Sequence, residues 1–203
     1  MTTVARAQPP LSDEQRRQRL LEAALATFTR FGFRKTSMEE VARAAGLSRQ
    51  GLYLHFATKE ALFRAAVRYA LEQGLQAAGA RLRDAATSLE TRLGGAFDEW
   101  VGRYVGLIGA DVDDLKEAGD QLVGTLIAQH EQRFVDAVAR AIRGSGLPAA
   151  YRPAGLSARQ LADTLCATAR GLKHGCPTRA AFGERFAVAV RALCLPLRSS
   201  SSS

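Results

Sequence analysis

The chain has 203 residues, 47% of them apolar, which is enough to bury a sizeable core in one domain or two small ones and excludes a disordered tail protein. A net charge of +8 and a pI near 10.0 favour an acidic partner, because Lys and Arg neutralise phosphates and release their counterions. No run approaches the roughly 18 apolar residues that span a bilayer, the first ten residues lack the apolar stretch of a secretion signal, and three cysteines without a C-x-x-C pair fit a reducing compartment, so a cytoplasmic protein with no membrane partner is expected.

Period-two alternation is nearly absent while apolar residues recur at spacings of three and four, so the expected fold is all-α. An arm over residues 1–11 and a serine-rich tail over residues 198–203 have little to bury and are expected to be disordered. Ser12 with Gln15 is a capping-box signature opening a first helix, whose buried stripe runs from Leu20 and Leu21 to Phe28 and Phe31 and stops near Gly32. Ser37 with Glu40 opens a short second helix with Met38, Val41, Ala42 and Ala45 inward, ended by Gly46. Ser48 caps a third helix, about Arg49 to Phe56, and Thr58 caps a long fourth that begins at Lys59 and reaches the low 80s.

Leu93, Phe97, Trp100, Tyr104 and Ile108 mark a fifth helix, and the acidic piece ADVDDLKEAGD precedes a sixth from about Gln121 to Arg143. RGSGLPAAYRPAG reads as a loop. A third capping box, Ser157 with Gln160, opens a helix to about His174, and after Gly175 and Pro177 the last helix spans Thr178 to Leu195.

Two short helices joined by a tight turn at Gly46 fit a helix-turn-helix, in which the first crosses the DNA backbone and the second enters the major groove. A surface helix built for stability carries Ala, Glu and Lys, whereas this one shows Ser48, Arg49, Gln50 and His55 to solvent. Arg49 can grip a guanine edge through two hydrogen bonds and Gln50 an adenine edge, each worth roughly 1–3 kcal/mol of discrimination. Gly51 removes a side chain that would hold the backbone off the groove.

From about Gln15 to Val67, and most densely in GFRKTSMEEVARAAGLSRQGLYLHFATKEALF, the chain resembles the DNA-binding domain of the TetR family of bacterial transcriptional regulators. The resemblance implies an N-terminal DNA-binding domain over residues 12–58 with its helix-turn-helix at 37–56, joined through the long fourth helix to a C-terminal helical domain over residues 59–197 that dimerises and binds ligand. It implies that Tyr53 and His55 contact phosphates, that Thr36 or Ser37 and Lys59 clamp the backbone, and that Ser48 to Gly51 read bases. The implied partners are a double-stranded DNA operator, a twin subunit and a small-molecule effector; no metal and no cofactor are expected.

The last two helices carry two apolar stripes each, where an isolated surface helix needs one. Leu161, Leu165 and Leu172 on one, and Phe182, Phe186, Val190 and Leu193 on the other, are therefore taken as the residues of a four-helix dimer interface, while the periodicity leaves open which stripe meets the partner. The ligand pocket implied by the family is placed at Phe97, Trp100, Tyr104, Leu126, His130 and Phe134. The expected activity is that of a dimeric repressor released from a pseudo-palindromic operator by a small molecule. A regulator without such an effector, partnered by a protein or acting as an activator, is the alternative, and an enzyme or zinc protein using Cys166, His174 and Cys176 is a remote one, since no fourth ligand suggests itself. The operator sequence, the effector and the regulated genes are not legible in the chain.

Overall fold

The computed structural model describes residues 12–106 and 112–199. In chain order the helices are α1 (Asp13–Phe31), α2 (Met38–Ala44), α3 (Arg49–His55), α4 (Lys59–Arg83), α5 (Leu89–Trp100), α6 (Val112–Arg143), α7 (Leu147–Tyr151), α8 (Ala158–Gly175) and α9 (Arg179–Ser199). Among the described residues there is no strand, and no helix is long and apolar enough to cross a membrane.

The capping signatures act as written. At Ser12, Ser37 and Ser157 the side chain accepts from the N3 backbone while the N3 side chain accepts from the cap's own N–H, and Ser48 and Thr58 cap α3 and α4 through Gly51 N–H and Ala61 N–H. Each reciprocal pair satisfies two of the donors that a helix start leaves without partners.

The head consists of α1, α2, α3 and the first half of α4, packed around Phe28, Leu52, Leu62 and Phe63. Phe63 meets Phe28 edge-on at 5.2 Å and Phe33 at 5.1 Å, a geometry the ring quadrupoles favour. Two residues from far along the chain, Ala118 and Val123 of α6, belong to this same cluster, and Glu117 reaches Arg34 in the α1–α2 loop at 2.7 Å. At 25 residues α4 is roughly 37 Å long, so Leu62, Phe63 and Ala66 sit in the head while Ala78 and Leu82 sit in the second core.

That second core is the bundle of α4, α5, α6, α8 and α9, with Phe97 packed edge-on to Phe134 at 5.0 Å and tilted against Phe186 at 4.5 Å. A bidentate ion pair from Arg179 to Asp98, 2.8 and 2.6 Å, ties the start of α9 to α5.

Four boundaries differ from expectation. The fifth helix ends at Trp100 and passes through a 3-10 turn at Gly102–Tyr104 into the left-handed Gly106, rather than continuing toward Ile108, which lies outside the described residues. The sixth begins at Val112, so the described part of the acidic piece, residues 112–120, belongs to its first turns and is not a lead-in. The Gly/Pro stretch contains α7, with Pro148 in the first turn, where its missing N–H costs nothing. Finally α9 extends through Ser199, so residues 198 and 199 are helical; the expected arm at 1–11 and the rest of the tail lie outside the described residues.

Candidate nucleic-acid interface and inner cavity

The turn between α2 and α3 is a Schellman close: Leu47 N–H donates to the Ala42 carbonyl at 2.9 Å and Gly46 N–H to the Arg43 carbonyl at 3.2 Å, with Gly46 at φ +70°. A side chain there would have space but not the backbone conformation, which is why glycine occupies the corner. Leu52 is the inward anchor of α3, wholly buried in the cluster that holds Val41 and Ala42. The rest of α3 and its cap is open apart from half-buried Gly51: Ser48, Arg49, Gln50, Tyr53, Leu54 and His55 are exposed.

This row is held ready without being neutralised. The Arg49 guanidinium stands 5.7 Å over the Tyr53 ring, and among the described residues no carboxylate lies within ion-pair distance of it. Tyr53 is 41% exposed, so it is not core packing. A Cβ at Gly51 would lie 3.1 Å from Ser48 Oγ, crowding the cap that starts the helix. Leu54, 83% exposed, is the most solvent-facing large apolar residue recorded, on a surface where an apolar side chain has nothing of its own chain to cover.

Two of the expected backbone clamps are differently employed. Thr36 is 1% exposed and its hydroxyl donates to the Gly32 carbonyl at 2.6 Å, so it closes the α1–α2 loop and is not available to a phosphate. The Lys59 ammonium donates to the carbonyls of Phe33, Arg34 and Thr36 at 3.0, 3.3 and 3.1 Å and sits 4.6 Å from the Phe33 ring centre, so its side chain fastens the same loop instead of reaching outward. Ser37 is exposed, with its hydroxyl engaged in the Glu40 box; that hydrogen bonding, chiefly from the Ser37 N–H, lowers the Glu40 carboxyl below its ordinary pKa.

Between head and bundle lies a cavity of about 260 Å³, entered between α1, α4, α5, α6 and α8. Of the six residues named from the sequence, Phe97, Trp100, Tyr104 and Phe134 line it, with Trp100 stacked on Phe134 at 5.0 Å. The indole packs against Gly74 of α4, where a Cβ would meet it at an ordinary contact distance of 3.4 Å. Leu126 and His130 are not in the wall. Leu126 packs against the head core, and buried His130 places Nδ1 2.8 Å from the Leu126 carbonyl one turn back. The inward row of α6 is Ile127, Glu131, Phe134 and Val135, one position and therefore about 100° around the helix from Leu126 and His130.

Sequence reasoning missed the polar part of this wall, Glu131, Arg170 and Lys173. The signal was present in Cys166, Arg170 and Lys173, spaced four and three apart on one side of α8. Burial lowers the Lys173 ammonium from its ordinary pKa, with Glu131 pulling the other way, and burial pushes the Cys166 thiol up to about 12. Burial likewise raises the Tyr104 phenol.

The residues expected at a dimer interface lie elsewhere than expected. Leu161, Leu165, Phe182, Phe186, Val190 and Leu193 are buried and Leu172 is half-buried within a single chain, all against its own core. The other stripe is the open one: Val188 is 56% and Leu195 60% exposed on α9, beside exposed Ala192, with exposed Ala167 and Gly171 on α8. Cys166, Cys176 and Cys194 are buried and not joined in a disulfide, His174 is exposed, and among the described residues no three His, Cys, Asp or Glu side chains converge as a metal site would require.

Residues 20–66 match the family model of bacterial regulatory proteins, tetR family. The chain is 40% identical over 63 residues to the uncharacterized HTH-type transcriptional regulator YfiR of Bacillus subtilis, 31% of each chain, and 42% identical over 57 residues to the HTH-type transcriptional regulator RutR of Escherichia coli, 28% of this chain and 27% of that one. The match thus spans under a third of the length of these curated relatives. A tetR-family transcriptional regulator from Streptomyces coelicolor has a similar fold over most of both chains, with TM-score 0.63 and 20% identity across 95% of this chain and 84% of that one.

Proposed function

We propose, from the premise that this chain belongs through residues 20–66 to the tetR family of bacterial regulatory proteins, that it is a sequence-specific DNA-binding transcriptional regulator and not an enzyme. The observation that carries the reading is the exposed, uncompensated row Ser48, Arg49, Gln50, Tyr53 and His55 on a helix anchored by Leu52. In this reading α3 lies in the major groove, Arg49 and Gln50 read base edges, and Ser37, Tyr53 and His55 hold phosphates. The first turns of α3 and α4 add N–H groups and the positive ends of their dipoles.

One seven-residue helix reads only a few base pairs, so the functional unit is a homodimer whose two α3 helices meet half-sites about 34–36 Å apart or a multiple. The outward stripe of Val188, Ala192 and Leu195, facing small Ala167 and Gly171, supplies an apolar surface suited to a twin's α8 and α9. The domain division is drawn at residues 12–58 and 59–197. The cavity is the effector site, and α4, which runs from the head core to the cavity residues Val67, Ala70 and Leu71, carries the coupling. A coupling of about 1–3 kcal/mol changes operator affinity by roughly 5- to 150-fold, enough for repression by occlusion and release by ligand.

Selection of binding sites from random duplexes tests the reading directly. The expected product is a two-fold-related pair of half-sites; recovery of sequences without any symmetry contradicts the dimeric mode, and no enrichment at low salt contradicts DNA reading altogether.

A further inference from the structure

The cavity combines features that seldom occur together. Its walls are largely apolar, with Phe97, Trp100, Tyr104 and Phe134 as the aromatic part, yet α8 turns the half-buried Lys173 and, at the rim, the exposed Arg170 onto it. Among the described residues no carboxylate comes within ion-pair distance of either cation, and the Lys173 ammonium has only the Tyr104 ring, 6.0 Å from its centre. Glu131 is the single acidic residue in the wall, so the lining carries one positive charge in excess. A half-buried ammonium with a carboxylate nearby but none in direct ion-pair contact is costly, and an apolar core would have been better served by Leu or Met at position 173. The neighbouring Cys166 thiol stays protonated, its pKa pushed to about 12, and offers no compensating negative charge.

We propose that the cavity takes a small flat organic anion, one or two rings bearing a carboxylate, with the ring among Trp100, Tyr104 and Phe134 and the carboxylate against Lys173 and Arg170. This rests on the cavity being the effector site. Size agrees: a cavity of about 150 Å³ accepts one benzene ring, and this one is about 260 Å³. Aromatic faces supply area at little conformational cost, while the two cations reject the neutral and cationic analogues of the same shape.

Trp100 is the only tryptophan in the chain, so its emission reports on the cavity alone. Benzoate, cinnamate and naphthoate are titrated beside their neutral amides and the cation cinnamylamine, using the full-length protein without DNA. The expected result is that at least one acid perturbs Trp100 emission and binds tenfold or more tightly than its amide. Lys173→Met and, separately, Arg170→Gln should bring that acid down toward its amide, whereas Lys173→Arg, which keeps the charge, should retain most of the preference. Amides or the amine binding as tightly as the acids, or a preference unmoved by both charge-removing variants, overturns the anion assignment and leaves the cavity as an effector site. Silence of Trp100 toward acids, amides and amine alike overturns the effector-site reading itself.

Discussion

The head and the bundle differ in where their chemistry lies. The head surrounds a small aromatic core with polar and cationic groups turned outward on α3, whereas the bundle turns Glu131 and Lys173 inward onto a cavity and leaves an apolar stripe outside. An outward row on a short capped helix is fixed by local sequence: once Leu52 is inward, Gln50 and Tyr53 turn away from it, and Arg49 is open as the first residue after the cap. An inward site is set by which of two adjacent positions on a long helix meets its neighbours, and that depends on the packing of five helices.

The sharpest way to break this contrast is to charge the bundle's outer face. Val188→Arg should convert the proposed dimer to monomer in sedimentation and lower affinity for selected duplexes by about 10²- to 10⁴-fold, the avidity of two linked heads, although no head residue is changed. An intact dimer would return the interface to another surface. Next come the two cores: Phe28→Ala and Phe186→Ala should each cost about 3–5 kcal/mol. Because α4 and α6 serve both cores, calorimetry should show one lowered transition in either variant, while two separable transitions would mean that the units melt independently.

Within the head, Arg49→Ala should lose about 1–3 kcal/mol of discrimination at one or two base positions with stability unchanged. Lys59→Ala should do the reverse, lowering stability by roughly 1–3 kcal/mol through three lost charge-assisted bonds and altering affinity evenly across sequences. If Lys59→Ala relaxes base specificity instead, the two roles have been exchanged. The smallest effect is a matched pair, Ser12→Ala in the head and Ser157→Ala in the bundle, each expected to cost about 1 kcal/mol by thermal denaturation. Unequal costs would locate the less cooperative unit.

Much of the fold is legible in the sequence because helix starts are written in four-residue codes: Ser12–Gln15, Ser37–Glu40 and Ser157–Gln160 each mark a helix at the right place. Faces are harder. His130 and Glu131 are one residue apart, and periodicity alone could not tell that the charged one turns to the cavity while the imidazole turns aside and places its Nδ1 on the Leu126 carbonyl. The same ambiguity governs α8 and α9, where both stripes are apolar and only packing separates Phe182 and Phe186, buried, from Val188 and Leu195, open. Thr36 and Lys59 show a third limit, since polar side chains near a DNA-reading element can be consumed by loop carbonyls that no local pattern announces.

The placement of Ala118 and Val123 in the head core constrains how such a protein can be recombined. A chimera that grafts another chain's first three helices onto this one keeps a lid shaped for the departed residues, and the Glu117 carboxylate loses its Arg34 counterpart. Successful exchange of reading modules therefore requires carrying the opening turns of α6 along with the donor segment, a piece that is distant in the gene and adjacent in space.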